Sequence, residues 1–248
     1  MPDRKSAWVR PMFDSIAPRY DLLNRLISFG MDRSWRRHAV TAALTGRPRL
    51  MVDVGTGTGD LAFEFAGRDT SGTTIIGLDF SAPMLGIGRQ RARNVSGSDR
   101  IHFVAGDALD LPLPGESVDV VVSAFVLRNL DSLPAAFAAM AKAIRRGGRL
   151  VLLEMTPIRQ PVFRFFFRLY FRRWVPVLGR LISRHPDAYT WLPESVDNFI
   201  GPEEVSAQLE ASGFADVQVK RLAFGTVAMH VATPVSYTHL PLPTSELE

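Results

Sequence analysis

Three glycines alternate with two threonines in "VDVGTGTGDL", residues 52–61, between a hydrophobic run and a helical one. Glycine permits positive φ and a close approach to the main chain, so such a turn offers N–H groups to a nucleotide-like ligand. The surroundings choose among ligands. A phosphate loop requires G-x-x-x-x-G-K-[ST] with its lysine, but Gly59 is followed by Asp60. A dinucleotide fingerprint requires G-x-G-x-x-G, and the spacing of Gly55, Gly57 and Gly59 is one residue too short for it. The acids that flank the turn, Asp53 and Asp60, suit a pyrophosphate poorly and a cation well. S-adenosylmethionine carries a sulfonium, an ammonium, one carboxylate and no phosphate.

Two further acids stand where that ligand needs them. Asp79 ends a second hydrophobic run 20 positions after Gly59, where a carboxylate accepts hydrogen bonds from both ribose hydroxyls. In "GDALDLP" (106–112), Asp107 and the Ala108 backbone follow a third run and are positioned for an adenine edge. Plainer roles stay open: Asp53 as partner of the turn amides, Asp79 as a helix cap beside Ser81, Asp107 as a turn residue.

The elements that must hold these residues read as strands at 50–54, 74–79, 101–106, 118–125 and 148–155, with helical patterns at 60–67, 82–93 and 132–146 between them. Gly147 and Gly148 read as the stop of the last helix. A helix near 202–213 precedes two closing strands, "DVQVKRL" and "GTVAMHVAT", joined by a short turn. The expected fold is α/β: a doubly wound, mostly parallel seven-stranded sheet with N-terminal helices and a helical insertion. Residues 1–46 form the helical cap and 47–234 the ligand-binding domain, with 157–200 as a lid-like insertion within it. The tail 235–248 has no periodicity; it reads as disordered or foreign to the natural protein and is given no function.

Composition narrows the chemistry. The 248 residues include no cysteine, which excludes disulfides, a thiolate nucleophile and cysteine-held clusters and fits a reducing cytoplasm. The histidines at 38, 102, 185, 230 and 239 show no metal-ligand spacing, so no metal is expected. The net charge of +4 is mild. With no zinc finger or RNA-binding signature, nucleic acid is not an expected partner. The opening "MPDRKSAWVRPMF" has no apolar core of a signal peptide, and no run reaches the roughly 20 apolar residues of a membrane span.

"VDVGTGTGDL", "GLDFSAPML", "GDALDLPLP", "FVLRNL" and "RRGGRLVLLE" together resemble the class I methyltransferases. The opening "MFDSIAPRYDLLNRLISFGMDRSWRR" and "DAYTWLPESV" (187–196) narrow the resemblance to the ubiquinone/menaquinone biosynthesis C-methyltransferases of the UbiE type. It runs from about residue 9 to 233. It implies cofactor contacts at Gly55, Thr58, Asp79, Asp107, Ala108 and Ser123, to which Asp53, Thr56, Gly57, Gly59 and Phe80 are added as neighbours in the same motifs. Its acceptor would be a ring carbon of a prenylated quinol, activated by loss of a phenolic proton. Arg128 and Asn129, at the end of the fourth strand, are candidates to grip the quinol oxygens. Arg128 cannot release its proton, so it would stabilise a phenolate or orient a water. Tyr20 and Asp21 close over the pocket, and His185, Asp187 and Tyr189 are candidates for the base. For Arg128 the plainer role is an ion pair with Asp131, and for His185 a surface loop.

In "VFRFFFRLYFRRWVPVLGRLI" (162–182), Arg164, Arg168 and Arg172 form one basic stripe among aromatic residues. That pattern fits a helix lying on anionic lipid, or equally a lid whose arginines are merely solvated. A cytoplasmic protein, peripheral at the inner face of the membrane, is the corresponding expectation; a second copy of the chain or a quinone-biosynthesis complex is compatible with it. Methylation of another lipophilic acceptor, a phenol or sterol-like compound, differs in whether the pocket continues into a long apolar groove. A non-catalytic binding module fits worse, because Asp79, Asp107 and Arg128 are all in place.

Overall fold

Among the residues that the computed structural model describes (5–95, 97–158, 165, 169, 173 and 187–235), seven strands form one sheet. They are β1 (Leu50–Val54), β2 (Thr74–Asp79), β3 (Ile101–Ala105), β4 (Val118–Ala124), β5 (Ile144–Met155), β6 (Phe214–Leu222) and β7 (Val227–Pro234), in the order β3-β2-β1-β4-β5-β7-β6. The first five run parallel, β7 lies antiparallel to β5, and β6 antiparallel to β7. This is the expected sheet with its closing hairpin.

The helices are α1 (Lys5–Ile16), α2 (Tyr20–Ile27), α3 (Met31–Ala43), α4 (Asp60–Arg68), α5 (Ala82–Ala92), α6 (Leu133–Ala143), α7 (Asp187–Asp197) and α8 (Pro202–Ala211). They cover both faces of the sheet, which is why the central strands are apolar runs and not alternations. Val120, Val122, Val151 and Leu153 join the core under α3 and α4, whereas Val121, Leu150 and Leu152 join the core under α6 and α8. Side chains of a strand alternate between faces, so one run feeds both cores.

Two boundaries differ from expectation. The helix read as 132–146 ends at Ala143, and β5 begins at Ile144. Between them the pairing jumps from Val118↔Ile144 to Val120↔Arg149. Gly147 sits at φ 73°, and a Cβ on Gly148 would lie 2.7 Å from the Asp119 carbonyl oxygen. The glycine pair therefore shapes an irregularity near the start of β5 and does not stop the helix.

Val9, Met12, Ile16 and Leu23 of the N-terminal helices form a small core of their own, with Phe80, Met155, Trp191 and Leu192 against it. This seats α1 and α2 over the carboxyl ends of β2 and β5 and against α7. No described helix is long and apolar enough to cross a membrane. Most of the basic–aromatic stretch 162–182, including Arg164, Arg168 and Arg172, lies outside the described residues, as do His185 and 236–248.

Candidate active site

Strand order reverses between β1 and β4, and a crevice opens outside their carboxyl ends. The glycine turn leaves β1 there. Gly55, Gly57 and Gly59 have φ of 72°, 57° and 89°, a region costly to other residues. A Cβ on Gly55 would meet Val126 Cγ2 at 2.3 Å, and one on Gly59 would meet the rings of Phe63 and Phe103 at 2.9 Å. At Gly57 the nearest atom is Tyr20 Cε1, 4.0 Å away. Gly57 is therefore the glycine that leaves room for a ligand against the chain.

A cavity of about 280 Å³ lies over this turn. Gly55, Gly57, Asp79, Phe80, Asp107 and Ala108 line it as expected, and Tyr20 and Asn129 close it. Asp79 accepts from the Gly57 amide through Oδ2 and from the Ser81 amide through Oδ1, both at 2.8 Å. Burial pushes its carboxyl above the ordinary range, opposed by those amides. Each oxygen keeps a second lone pair for a ligand hydroxyl. Ser81 itself caps α5 through Met84, so Asp79 is not needed for that. Asp107 accepts from the Leu109 amide at 2.9 Å, which is its turn role, and still faces the cavity. Three carboxylates, of Asp79, Asp107 and Asp131, and one guanidinium, of Arg10, border the space. That excess of negative charge, the room at Gly57 and the free lone pairs of Asp79 fit S-adenosylmethionine.

Five expected contacts do other work. Asp53 is buried beneath the turn and accepts from the Thr56 hydroxyl at 2.7 Å; burial pushes its pKa up to about 7. The Thr58 hydroxyl donates to Asp21 at 2.5 Å, and Ser123 donates to the Val54 carbonyl at 2.8 Å. The Gly59 amide donates to the Thr56 carbonyl at 2.9 Å. Asp53, Thr56, Thr58, Gly59 and Ser123, expected as cofactor contacts, are not among the residues that line the cavity; their bonds hold the turn and the strands that carry it. Asp21, with Asp60, also pairs with Arg91 of α5, so the capping helix is fastened to the turn.

A second cavity, about 130 Å³, adjoins the first and shares Tyr20 and Phe125 with it. Its lining joins apolar Ile27, Trp35, Met155 and Leu192 to Arg128 and to the Arg36–Asp32 ion pair. Arg128 Nη1 donates to Glu154 Oε1 at 2.5 Å and to the Phe125 carbonyl at 2.9 Å. Its partner is therefore Glu154 and not Asp131, which accepts from Ser6 instead. The Nε–H of Arg128 is buried with no partner, a state that costs free energy unless something fills it. Asn129 Oδ1 accepts from Trp191 Nε1 at 3.0 Å. Phe125 holds φ 64°, a strained conformation for an aromatic residue, at the junction of the cavities. Asp187 and Tyr189 lie in the first turn of α7, but their side chains are outside the described part.

Glu154, Trp35 and Phe125 were not among the expected residues, and Trp191 entered only as part of "DAYTWLPESV". Glu154 leaves a trace in the sequence, as a lone acid in the apolar run "LVLLEM": a buried charge requires a partner. The aromatic residues leave none, because aromatic residues are usual in cores.

The model of the ubiE/COQ5 methyltransferase family matches residues 1–234. A demethylmenaquinone methyltransferase of Thermus thermophilus is 44% identical over 220 residues, 89% of this chain and 98% of that protein. A ubiquinone/menaquinone biosynthesis C-methyltransferase of Geotalea daltonii is 37% identical over 226 residues, 91% and 96% of the two chains. Among solved structures, a SAM-dependent methyltransferase of Thermotoga maritima aligns with a TM-score of 0.62 at 20% identity, over 90% of this chain and 98% of its own; that likeness shows the fold alone. The chain belongs to the ubiE/COQ5 methyltransferase family and is a SAM-dependent methyltransferase.

Proposed function

We propose that this family member transfers a methyl group to a ring carbon of a prenylated quinol, demethylmenaquinol or 2-methoxy-6-polyprenyl-1,4-benzoquinol. The observation that carries this reading is the pair of adjoining cavities. One is acidic and suits the cofactor; the other is lined mainly by apolar side chains and carries the buried Arg128. S-adenosylmethionine, when bound, supplies an electrophilic methyl on its sulfonium.

The chain's own groups supply the rest. A quinol oxygen meets the Arg128 guanidinium, which stabilises the negative charge that grows on that oxygen as its proton leaves. Glu154 holds the guanidinium in place. Burial raises the Tyr20 phenol above its ordinary value, so at neutral pH Tyr20 keeps its proton and donates. Trp191 fixes the carboxamide of Asn129 at the wall of the first cavity. The proton acceptor comes from the insertion, where His185, Asp187 and Tyr189 stand. Trp35, Phe125 and Leu192 exclude water from the reacting pair. The names of the relatives support the same substrate class. A cytoplasmic enzyme working at the membrane surface is the setting this substrate requires.

The test is methyl-labelled S-adenosylmethionine with purified protein and membranes lacking this activity, followed by mass spectrometry of the quinones. Label on a ring carbon of either quinol is the expected result. Cofactor binding with no labelled quinone would overturn the quinol reading and favour another lipophilic acceptor.

A further inference from the structure

The exposed face of α2 has an unusual make-up. Leu22, Arg25 and Leu26 recur at helical spacing and Phe29 follows just past the helix; Leu22 is 52% exposed, Leu26 40% and Phe29 74%. Met31, at the start of α3, continues the patch at 45%. Large apolar side chains in one exposed group mark an interaction surface. The neighbouring recess, about 290 Å³, is lined by Arg25, Arg33, Arg36, Arg37 and Arg91 against only Asp60 and Glu64. Arg36 pairs with Asp32, Arg91 with Asp21 and Asp60, and Arg37 with Glu64 at 3.4 Å. Arg25 and Arg33 are exposed and make no ion pair among the described residues. Phe29 and Met31 of this patch also line the cavity of Arg128.

We infer that the α2–α3 edge docks on an anionic bilayer, with Leu22, Leu26 and Met31 dipping into the acyl boundary and the arginine recess receiving lipid phosphate. Apolar residues interleaved with unpaired cations are what such a surface selects; a polyanion in solution has no use for Leu22 and Leu26. The docking would place the mouth of the second cavity at the lipid, so that a prenylated acceptor enters from the bilayer without crossing water. This route rests on the quinol reading; the docking does not.

Co-sedimentation with phosphatidylcholine vesicles, with and without phosphatidylglycerol, tests it for the full chain. The intact protein is expected to bind the anionic vesicles and to release as salt rises. Arg25→Glu with Arg33→Glu is expected to weaken binding by about 30-fold or more, and Leu22→Ser with Leu26→Ser by about tenfold or more. Affinity for S-adenosylmethionine, the thermal midpoint and methyl transfer to a tail-less quinol should be unchanged in both double variants, which shows that they fold. Equal binding to neutral vesicles, no binding at all, or variants that bind like the parent would overturn the docking. Vesicle binding without transfer to any quinol would leave the docking standing and remove the quinol reading.

Discussion

The two cavities that meet at Tyr20 and Phe125 are built in opposite ways. The acidic one is made from short loops that leave consecutive parallel strands: the glycine turn after β1, Asp79 and Phe80 after β2, Asp107 and Ala108 after β3. Its shape is set by main-chain geometry, above all positive φ at the turn glycines. The apolar one draws on α2, α3, α7 and the ends of β4 and β5, and its shape is set by side chains packed across long separations. A ligand common to many enzymes can be read by backbone. A substrate particular to one enzyme needs side chains that vary.

Four perturbations would break or sharpen that contrast. The largest is Glu154→Ala, which leaves Arg128 buried without its carboxylate; stability should fall by about 3–5 kcal/mol, read as a lowered thermal midpoint. Asp79→Ala removes a charged acceptor that serves both Gly57 and the ligand. Affinity for S-adenosylmethionine should drop about 10- to 100-fold, since hydrogen bonds to charged groups contribute about 1.5–3 kcal/mol; calorimetry reads it directly. Asp53→Asn acts through pH. With its folded pKa raised to about 7 from about 3.9 when unfolded, Asp53 stays protonated in the folded chain while the unfolded chain ionises. Its contribution is complete below the unfolded value and is lost as pH rises through about 7. Asp53→Asn should flatten the fall in thermal midpoint across that window; an unchanged slope would locate the effect elsewhere. The smallest is Trp191→Phe, which frees Asn129 for about 1 kcal/mol. It should lower kcat several-fold while leaving cofactor affinity as it was.

Legibility in the sequence follows the same division. The sheet, its order of elements and its hairpin could be read because buried parallel strands are continuous apolar runs and their loops carry glycine and aspartate. The acidic cavity was mostly legible for that reason, although Thr56, Thr58 and Ser123 face into the protein. Spacing tells which loop meets a ligand but not which way a side chain on it turns. The end of α6 was misread because Gly147 and Gly148 fit a helix stop as well as a strand bulge. Arg128 and Asn129 can be named from their place after β4, yet the plainer role for Arg128 points to Asp131, close in sequence, whereas the fold supplies Glu154 from the adjoining strand. Pairings across a sheet are set by register, and register appears only once the strands are laid side by side.

The central claim is that one cavity holds the cofactor and the other activates the acceptor. Arg128→Gln tests it most directly, with equilibrium binding of S-adenosylmethionine and single-turnover methyl transfer to demethylmenaquinol measured on the same preparation. The expected result is unchanged cofactor affinity with transfer slowed about 10²- to 10³-fold, the loss seen when a donor to a developing oxyanion is removed. Weakened cofactor binding with an undiminished transfer rate would contradict the account, because Arg128 would then belong to the first cavity and the second would have no part in the chemistry.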